Sequence, residues 1–387
     1  MFENLQVDFL KLAFAYESAF PWFNGGIEKR RYNILKALAK NKSNELHMFT
    51  TYREGMPGRD FVYEGVHYHC IGKAVDIESM YANGDRRSIS MSLKFAIGLF
   101  LNLLKYRFDA IDTDAFPFLH IPLVHLYSKL SRTKLIITWH EVWSKEFWSS
   151  YFPKGRVVGY FFEKWVSKLG DMCIANSETT KELLCSIFGV NAKKVKVLAA
   201  AIDRDEISSF VSSNAGGCAK QDKFIVVNRL VKYKRVDIAI KAVARTKLRL
   251  VVVGKGPELK RLKSIANRAG AGNRIEFKDE LDTESLFMEL CTSKGLLVPS
   301  RREGLSLVTV EALAIGVPVV IVESSMLPKE LRSLCIIAKD GSFSQMLEEV
   351  AGNYSKYSEM YRKLIPRVIK RFSNEDAEKF YANALKA

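Results

Sequence analysis

Residues 295–322, GLLVPSRREGLSLVTVEALAIGVPVVIV, decide the reading of the fold. GLLVPS is a short apolar run ending in Pro299 and Ser300, the pattern of a buried strand. RREGLS follows as a polar loop, and LVTVEALAIG as a helix closed by Gly316. VPVVIV is a second buried strand. Strand, helix and strand in succession form a parallel pair with a crossover, and parallel sheets carry such helices on both faces. Glu303 and Glu311 stand in this otherwise apolar unit, and carboxylates placed there need something to hold.

The same alternation runs through most of the chain. In the first half the strand patterns are KLAFAY (11–16), ELHMFT (45–50), DAIDT (109–113), KLIITW (134–139), DMCIAN (171–176) and KVKVL (194–198). Amphipathic stretches such as GIEKRRYNILKALAK lie between most of them. The periodless ISSFVSSNAGGCAKQDK (207–223) reads as a linker or solvent loop. FIVVN (224–228), LRLVVVG (248–254), RIEF (274–277), GLLVPS and VPVVIV then repeat the pattern, with helices expected from near Val236, Glu258, Glu284 and Leu307. From about Ser355 the tail reads as helical. The expectation is two doubly wound α/β domains: residues 1–205, joined by about 357–387, and residues 206–356. Ligands on such folds bind at the carboxyl ends of the strands.

Composition narrows the partners. The chain of 387 residues carries a formal charge of +16, with 28 basic against 22 acidic residues through Asp205 and 31 against 21 beyond it. An excess so evenly spread, without a basic arm, speaks against nucleic acid and for anionic small ligands or an anionic lipid surface. The start, MFENLQVDFLKLAFAY, is acidic at Glu3 and Asp8 and reads as no secretory leader, so a cytoplasmic place is expected, peripheral on the membrane face. SMSLKFAIGLFLNLLKYRF (90–108), broken by Lys94 and Asn102, reads as a buried helix and not a membrane span. Six scattered cysteines without a CxxC pair are expected to be reduced thiols. His67 and His69 alternate in GVHYHC as a strand face, and no metal site is expected.

Ser306 stands where a helix cap belongs, and the amides of Leu307, Val308 and Thr309 would then face an anion. Glu311, just over one turn inside, leans back toward the helix start. Both carboxylates can therefore converge on a ligand whose phosphates meet the helix end. Carboxylates beside phosphates should accept from hydroxyls, and a nucleotide sugar has hydroxyls on both sides of its diphosphate. The competing reading makes Glu303 a helix cap and Glu311 a solvated residue. In VVNRLVKYKRVDIAIKA, Arg229 follows a strand end and Lys234 precedes a helix, a fork and a point charge suited to a diphosphate. Both could equally be surface charges, and Arg235 and Lys232 read as solvated. Gly254 and Gly256 do not complete a G-x-G-x-x-G fingerprint, so no dinucleotide cofactor is expected. Gly25 and Gly26, at a strand-to-helix turn, either let backbone amides approach a phosphate or sugar or make a plain tight turn.

The order of FNGGIEKRRYNILKALAK, RLVKYKRVD, VVVGKGPELKRL, IEFKDEL and VPSRREGLSLVTVEALAIGVPVV resembles the family 4 glycosyltransferases of the GT-B fold over nearly the whole chain. The resemblance implies two Rossmann-like domains facing across a cleft. It also implies retaining sugar transfer from a UDP or GDP sugar, without an obligatory metal or other cofactor. By the same resemblance Glu303 contacts the donor sugar and Glu311 the ribose hydroxyls, with Gly304, Leu305, Ser306 and Leu307 beside them. Arg229 and Lys234 hold the departing diphosphate, Gly25 and Gly26 border it, and Glu280 with Leu281 adjoin the base. His140, in IITWHEVW, lies near the donor sugar and the reaction centre. Departures from the pattern are Arg235 and Asp279 where glycines are frequent, the alanines of AAAID (199–203) and the glycine-poor ESSMLPKE (323–330). They bear on base selectivity and on the shape of the donor pocket.

The acceptor, a sugar or a lipid-linked group, is expected on the N-terminal domain. Trp139, Trp143, Trp148 and Trp165 fall in one short stretch, of which loop 143–153 reads as facing the acceptor or a membrane. Helix 156–168, with Val157, Val158, Phe161, Phe162, Trp165 and Val166 on one side, reads as core. Rival readings are a nucleotide-sugar epimerase on the same fold and a non-catalytic nucleotide-sugar-binding protein.

Overall fold

Strands of Val, Ile, Leu and Ala without polar alternation need cover on both faces, and such strands build both sheets of this protein. The computed structural model describes residues 9–72, 88–214 and 218–386. Its contacts divide the chain into two compact units, Met1–Ala200 with Asn374–Ala387, and Ala201–Ser373.

The first unit holds β1 (Lys11–Ala15), β2 (Glu45–Thr51), β3 (Asp60–Tyr63), β4 (Val66–Ile71), β5 (Ala110–Asp114), β6 (Lys134–Trp139), β7 (Met172–Ala175) and β8 (Val195–Val197). They form one sheet in the order β3-β4-β2-β1-β5-β6-β7-β8, parallel except where β3 meets β4. Ala13, Ile111 and Ile137 point to one face, where helices Ile89–Leu103, Ile121–Ser131, Arg156–Val166 and Glu178–Phe188 cover them. Leu12, Phe14 and Ile136 point to the other, beneath helices Gly26–Leu38 and Ala377–Lys386.

The second unit holds β9 (Lys223–Val227), β10 (Arg249–Val253), β11 (Ile275–Lys278), β12 (Gly295–Val298), β13 (Val319–Val322) and β14 (Ile336–Ala338), all parallel, in the order β11-β10-β9-β12-β13-β14. Val226, Ile240, Leu250, Leu262, Leu297 and Leu347 centre its core. The long helix Tyr354–Phe372 packs on helix Leu307–Ala314 and stays with this unit. The return to the first unit therefore begins at Asn374 and not near residue 357.

Several expectations are corrected. The stretch read as a linker opens inside helix Arg204–Ser213, which is capped by the Asp203 side chain and anchored by buried Ile207. Cys218 and Cys291 are joined in a disulfide, Cα atoms 5.7 Å apart; a separation of 73 residues conceals the pairing in the sequence. His69 leaves the plain strand-face reading, because its Nε2 lies 2.8 Å from His47 Nδ1 and its Nδ1 2.8 Å from Asp60. The acidic start at Glu3 and Asp8 lies outside the described residues. Among the described residues no helix is long and apolar enough to cross a membrane.

Two helices turn the unexpected way. Helix Ile89–Leu103 buries Phe95, Leu99 and Leu103 but exposes Ile89, Leu93, Ile97 and Leu101, so half of its apolar surface faces outward. Helix Arg156–Val166 keeps only part of its expected core face: Val166 is buried and Phe162 packs on the core, with Glu163 inside beside them, while Val157, Val158, Phe161 and Trp165 are exposed. The cause is the preceding segment. Trp143 and Trp148, expected at the surface, are buried. Trp148 lies over Gly159 so closely that a Cβ there would fall 2.3 Å from the indole. The Glu163 carboxylate accepts the Trp143 backbone N–H at 2.8 Å and the Trp148 indole N–H at 2.6 Å. A buried carboxylate with two donors outweighs an apolar face that has none to meet.

Candidate active site

In the second sheet strand order reverses between β9 and β12, the switch point where open α/β sheets take ligands. Arg229 and Lys234 follow β9, and Glu303 follows β12. The sheet thus brings together residues far apart in the chain. Lys234 Nζ lies 2.8 Å from both oxygens of Glu303, and both side chains are nearly buried. Burial works to lower the Lys234 pKa, but the facing carboxylate outweighs it and the ammonium is held above its usual range. Arg229 is exposed and donates to the Tyr233 hydroxyl at 3.0 Å.

Backbone contacts hold this arrangement. The Leu230 N–H donates to the Lys255 carbonyl, and the Glu258 N–H to the Leu230 carbonyl. Gly254 and Gly256 allow the approach: a Cβ would lie 2.0 Å from the Asn228 oxygen in the first case and 2.4 Å from the Leu230 oxygen in the second. Their φ values of 136° and 154° also suit glycine alone. These glycines therefore seat the strand that presents Arg229, a role the incomplete fingerprint did not suggest.

Glu311 is 3% exposed, which overturns the reading of it as a solvated residue. Ser306 occupies the position before helix Leu307–Ala314 but does not cap it with its side chain. Its backbone is left-handed and its hydroxyl pairs with Thr309 Oγ1 at 2.7 Å. The Ser306 carbonyl accepts from Thr309 and Val310, which leaves the Leu307 and Val308 amides outside the helical ladder. Gly304 lies between Glu303 and buried Leu305, and Glu280 (exposed) with Leu281 (half-buried) follows edge strand β11 on the same carboxyl-terminal side of the sheet. Buried Ser300 Oγ, at the end of the β12 segment, has no hydrogen-bond partner among the described residues. Arg235 is not solvated: it adopts the left-handed conformation that favours glycine, and donates to Ser324 at 3.0 Å.

The first sheet has its own switch point, between β1 and β5. His140 follows β6, and its Nε2 lies 2.6 Å from Asp114 Oδ1 at the end of β5. Asp114 also accepts from Arg31, which spans Asp114 and Asp112 in a fully buried network joined by Thr138 and Tyr381. Burial alone would raise the Asp114 pKa, but Arg31 and His140 hold it down at about 2. Burial lowers the His140 pKa against the opposing pull of Asp114, so the imidazole is neutral at pH 7. Sequence reading did not find Asp114 or Arg31: Asp114 lies just past the DAIDT run, where it alternates with Asp112, and Arg31 is one of several basic residues in GIEKRRYNIL. Gly25 precedes helix Gly26–Leu38 in extended backbone, and the first-turn Glu28 carboxylate lies where its Cβ would be. The glycine thus leaves room for side-chain ends and is not demanded by turn geometry.

Comparison with known proteins finds two family models that together span most of the chain. The family described as Glycosyltransferase Family 4 matches residues 24–206, and that described as Glycosyl transferases group 1 matches residues 213–368. An uncharacterized glycosyltransferase of Methanocaldococcus jannaschii is 29% identical over 200 residues, 48% of this chain and 50% of that protein. A D-inositol 3-phosphate glycosyltransferase of Xylanimonas cellulosilytica is 25% identical over 184 residues, 43% of each chain. The chain thus spans about half the length of these curated relatives. Among solved structures, sucrose-phosphate synthase from Thermosynechococcus elongatus superposes with a TM-score of 0.78 at 15% identity, covering 97% of this chain and 98% of that one. Anabaena HepE in complex with UDP-glucose gives 0.70 at 15% identity, over 97% and 99%. These likenesses show the fold.

Proposed function

Because the chain belongs to the GT-B glycosyltransferases of the group 1/family 4 type, we propose that it moves a sugar from a nucleoside-diphosphate sugar to an acceptor hydroxyl. The observation that carries this reading is the Lys234–Glu303 pair at the switch point, beside the start of helix Leu307–Ala314. Lys234, Arg229 and the free first-turn amides supply positive potential for a diphosphate, and preorganised charge of this kind stabilises a leaving group without reorganisation. Glu303 is proposed to meet the donor sugar and Glu311 the ribose hydroxyls. Gly304, Leu305, Ser306 and Leu307 would adjoin them, with Glu280 and Leu281 at the base. His140, Gly25 and Gly26 are proposed as further donor contacts. The solved relative that holds UDP-glucose favours a UDP sugar.

We read the transfer as retaining. The bond from the anomeric carbon to the phosphate oxygen breaks, and the acceptor oxygen bonds to the same face of that carbon. The acceptor proton passes to the departing phosphate. No metal or other cofactor is assigned a role in this step. Nothing in the site favours an epimerase, which would need an acid/base set beyond His140. A lipid-linked acceptor and peripheral attachment to an anionic membrane accompany this reading.

The test is calorimetric titration with UDP, GDP and ADP in EDTA. Saturable binding of one nucleotide supports the donor site and names its base. No binding by folded protein would overturn it. Anomeric coupling in the product, read by proton NMR, decides retention.

A further inference from the structure

Three successive crossovers on one face of the first sheet each present an apolar stripe outward. On helix Ile89–Leu103 it runs Ile89, Leu93, Ile97 and Leu101, with Leu104 just beyond. On helix Ile121–Ser131 it is Leu126 and Leu130. On helix Arg156–Val166 it is Val157, Val158, Phe161 and Trp165, with Val158 74% and Phe161 59% exposed. The inner sides of all three helices share one core through Leu99, Val124 and Val166, so the stripes look away from the same side of the sheet. A lone exposed leucine is ordinary, but apolar stripes repeated on neighbouring helices call for a partner.

Charge identifies that partner. Helices Ile89–Leu103 and Ile121–Ser131 contain no acidic residue, and the one acid of helix Arg156–Val166, Glu163, is buried. Lys94, Lys105, Arg132, Arg156 and Lys168 are exposed within or just beyond these helices. Two copies joined through this face would set cation against cation. An anionic bilayer instead accepts the apolar side chains at its headgroup boundary and meets the cations with phosphate.

We infer that this three-helix face docks on an anionic lipid bilayer, with Phe161 and Trp165 set at headgroup level. The inference rests on the peripheral attachment proposed above, and moves it from segment 143–153, where Lys145–Tyr151 is a helix and not a loop and the tryptophans are buried, to the outer helices. The test is co-sedimentation with phosphatidylcholine vesicles, with or without about a third phosphatidylglycerol, at low and high salt. Wild type is expected to bind the anionic vesicles and to be released by salt. Phe161→Glu with Trp165→Glu should lower binding at least ~10-fold, with UDP affinity and thermal unfolding unchanged. Leu101→Glu, on a separate helix, should weaken binding in the same direction and serves if the first variant folds poorly.

Equal binding by the variants would overturn this surface while leaving membrane attachment standing. Failure of wild type to bind any vesicle would overturn both. A dimer, seen by sedimentation velocity, that the variants dissociate would assign the face to a second copy and overturn the inference. Loss of UDP binding alone would strike the donor reading and not this one.

Discussion

Lys234 and Glu303 hold each other through both carboxylate oxygens, at 2.8 Å each, from opposite sides of the β9–β12 switch point. Neither charge is therefore independent. Lys234→Ala should weaken nucleotide binding by roughly 1.5–3 kcal/mol, the range for charge-assisted bonds. Glu303→Gln should reduce turnover more than nucleotide affinity, because its oxygens are assigned to the sugar. The double variant should lose less affinity than the single losses combined, since each single change leaves a nearly buried charge without its partner. Calorimetry on the four proteins closes the cycle. Equal UDP affinity in wild type and Lys234→Ala would sink the phosphate assignment.

The Asp114–His140 pair makes stability depend on pH in one direction. Asp114 has its pKa held at about 2 against an ordinary 3.8, so its contribution is complete above 3.8 and is lost as pH falls toward 2. That shift corresponds to roughly 2 kcal/mol. His140 has a pKa lowered from 6.5 by burial, so protonating it costs the folded state and stability declines as pH drops below 6.5. The urea midpoint should fall on acidification below 6.5 and fall further in the carboxylate range. His140→Gln should flatten the first part of that decline. A midpoint that rises on acidification would contradict both assignments.

The second unit was more legible than the first, for a physical reason. β9, β10, β12 and β13 are nearly continuous apolar runs, β11 (IEFK) alternates, and all five fall where those patterns predict. β14, only Ile336–Ala338, is too short to leave such a signal. In the first unit β3 and β4 form an edge hairpin on which Asp60, His67 and His69 interrupt the apolar pattern. Periodicity located helix Arg156–Val166 but misplaced four of its six expected core residues, because hydrophobic spacing is blind to a carboxylate whose two donors lie on an earlier segment. The Lys234–Glu303 and Asp114–His140 pairs were hidden similarly. Each joins strand ends that become neighbours only when the sheet forms, although Lys234, Glu303 and His140 could be singled out one by one.

Gly256 tests how the Arg229 segment is seated. An alanine there places its Cβ 2.4 Å from the Leu230 oxygen, at a φ of 154° that side chains rarely adopt. The change should cost at least about 2 kcal/mol, combining strain with displacement of backbone. Because the displaced backbone adjoins Arg229, UDP affinity should fall with the thermal midpoint. A Gly256→Ala protein with unchanged midpoint and affinity would show that the contact is not needed.

Glu163 tests how helix Arg156–Val166 is turned. Glu163→Ala leaves the Trp143 backbone N–H and the Trp148 indole N–H buried without an acceptor, at a cost of about 1–3 kcal/mol for each group. Glu163→Gln keeps one oxygen but turns an amide toward the other donor, so it should fall between alanine and wild type. With its acceptor gone, Trp148 should loosen from Gly159 and its fluorescence should shift to the red. The thermal midpoint and the emission maximum should move together through the series. If instead Glu163→Ala were as stable as wild type with unshifted emission, the carboxylate could not be what holds this helix with its aromatic side outward.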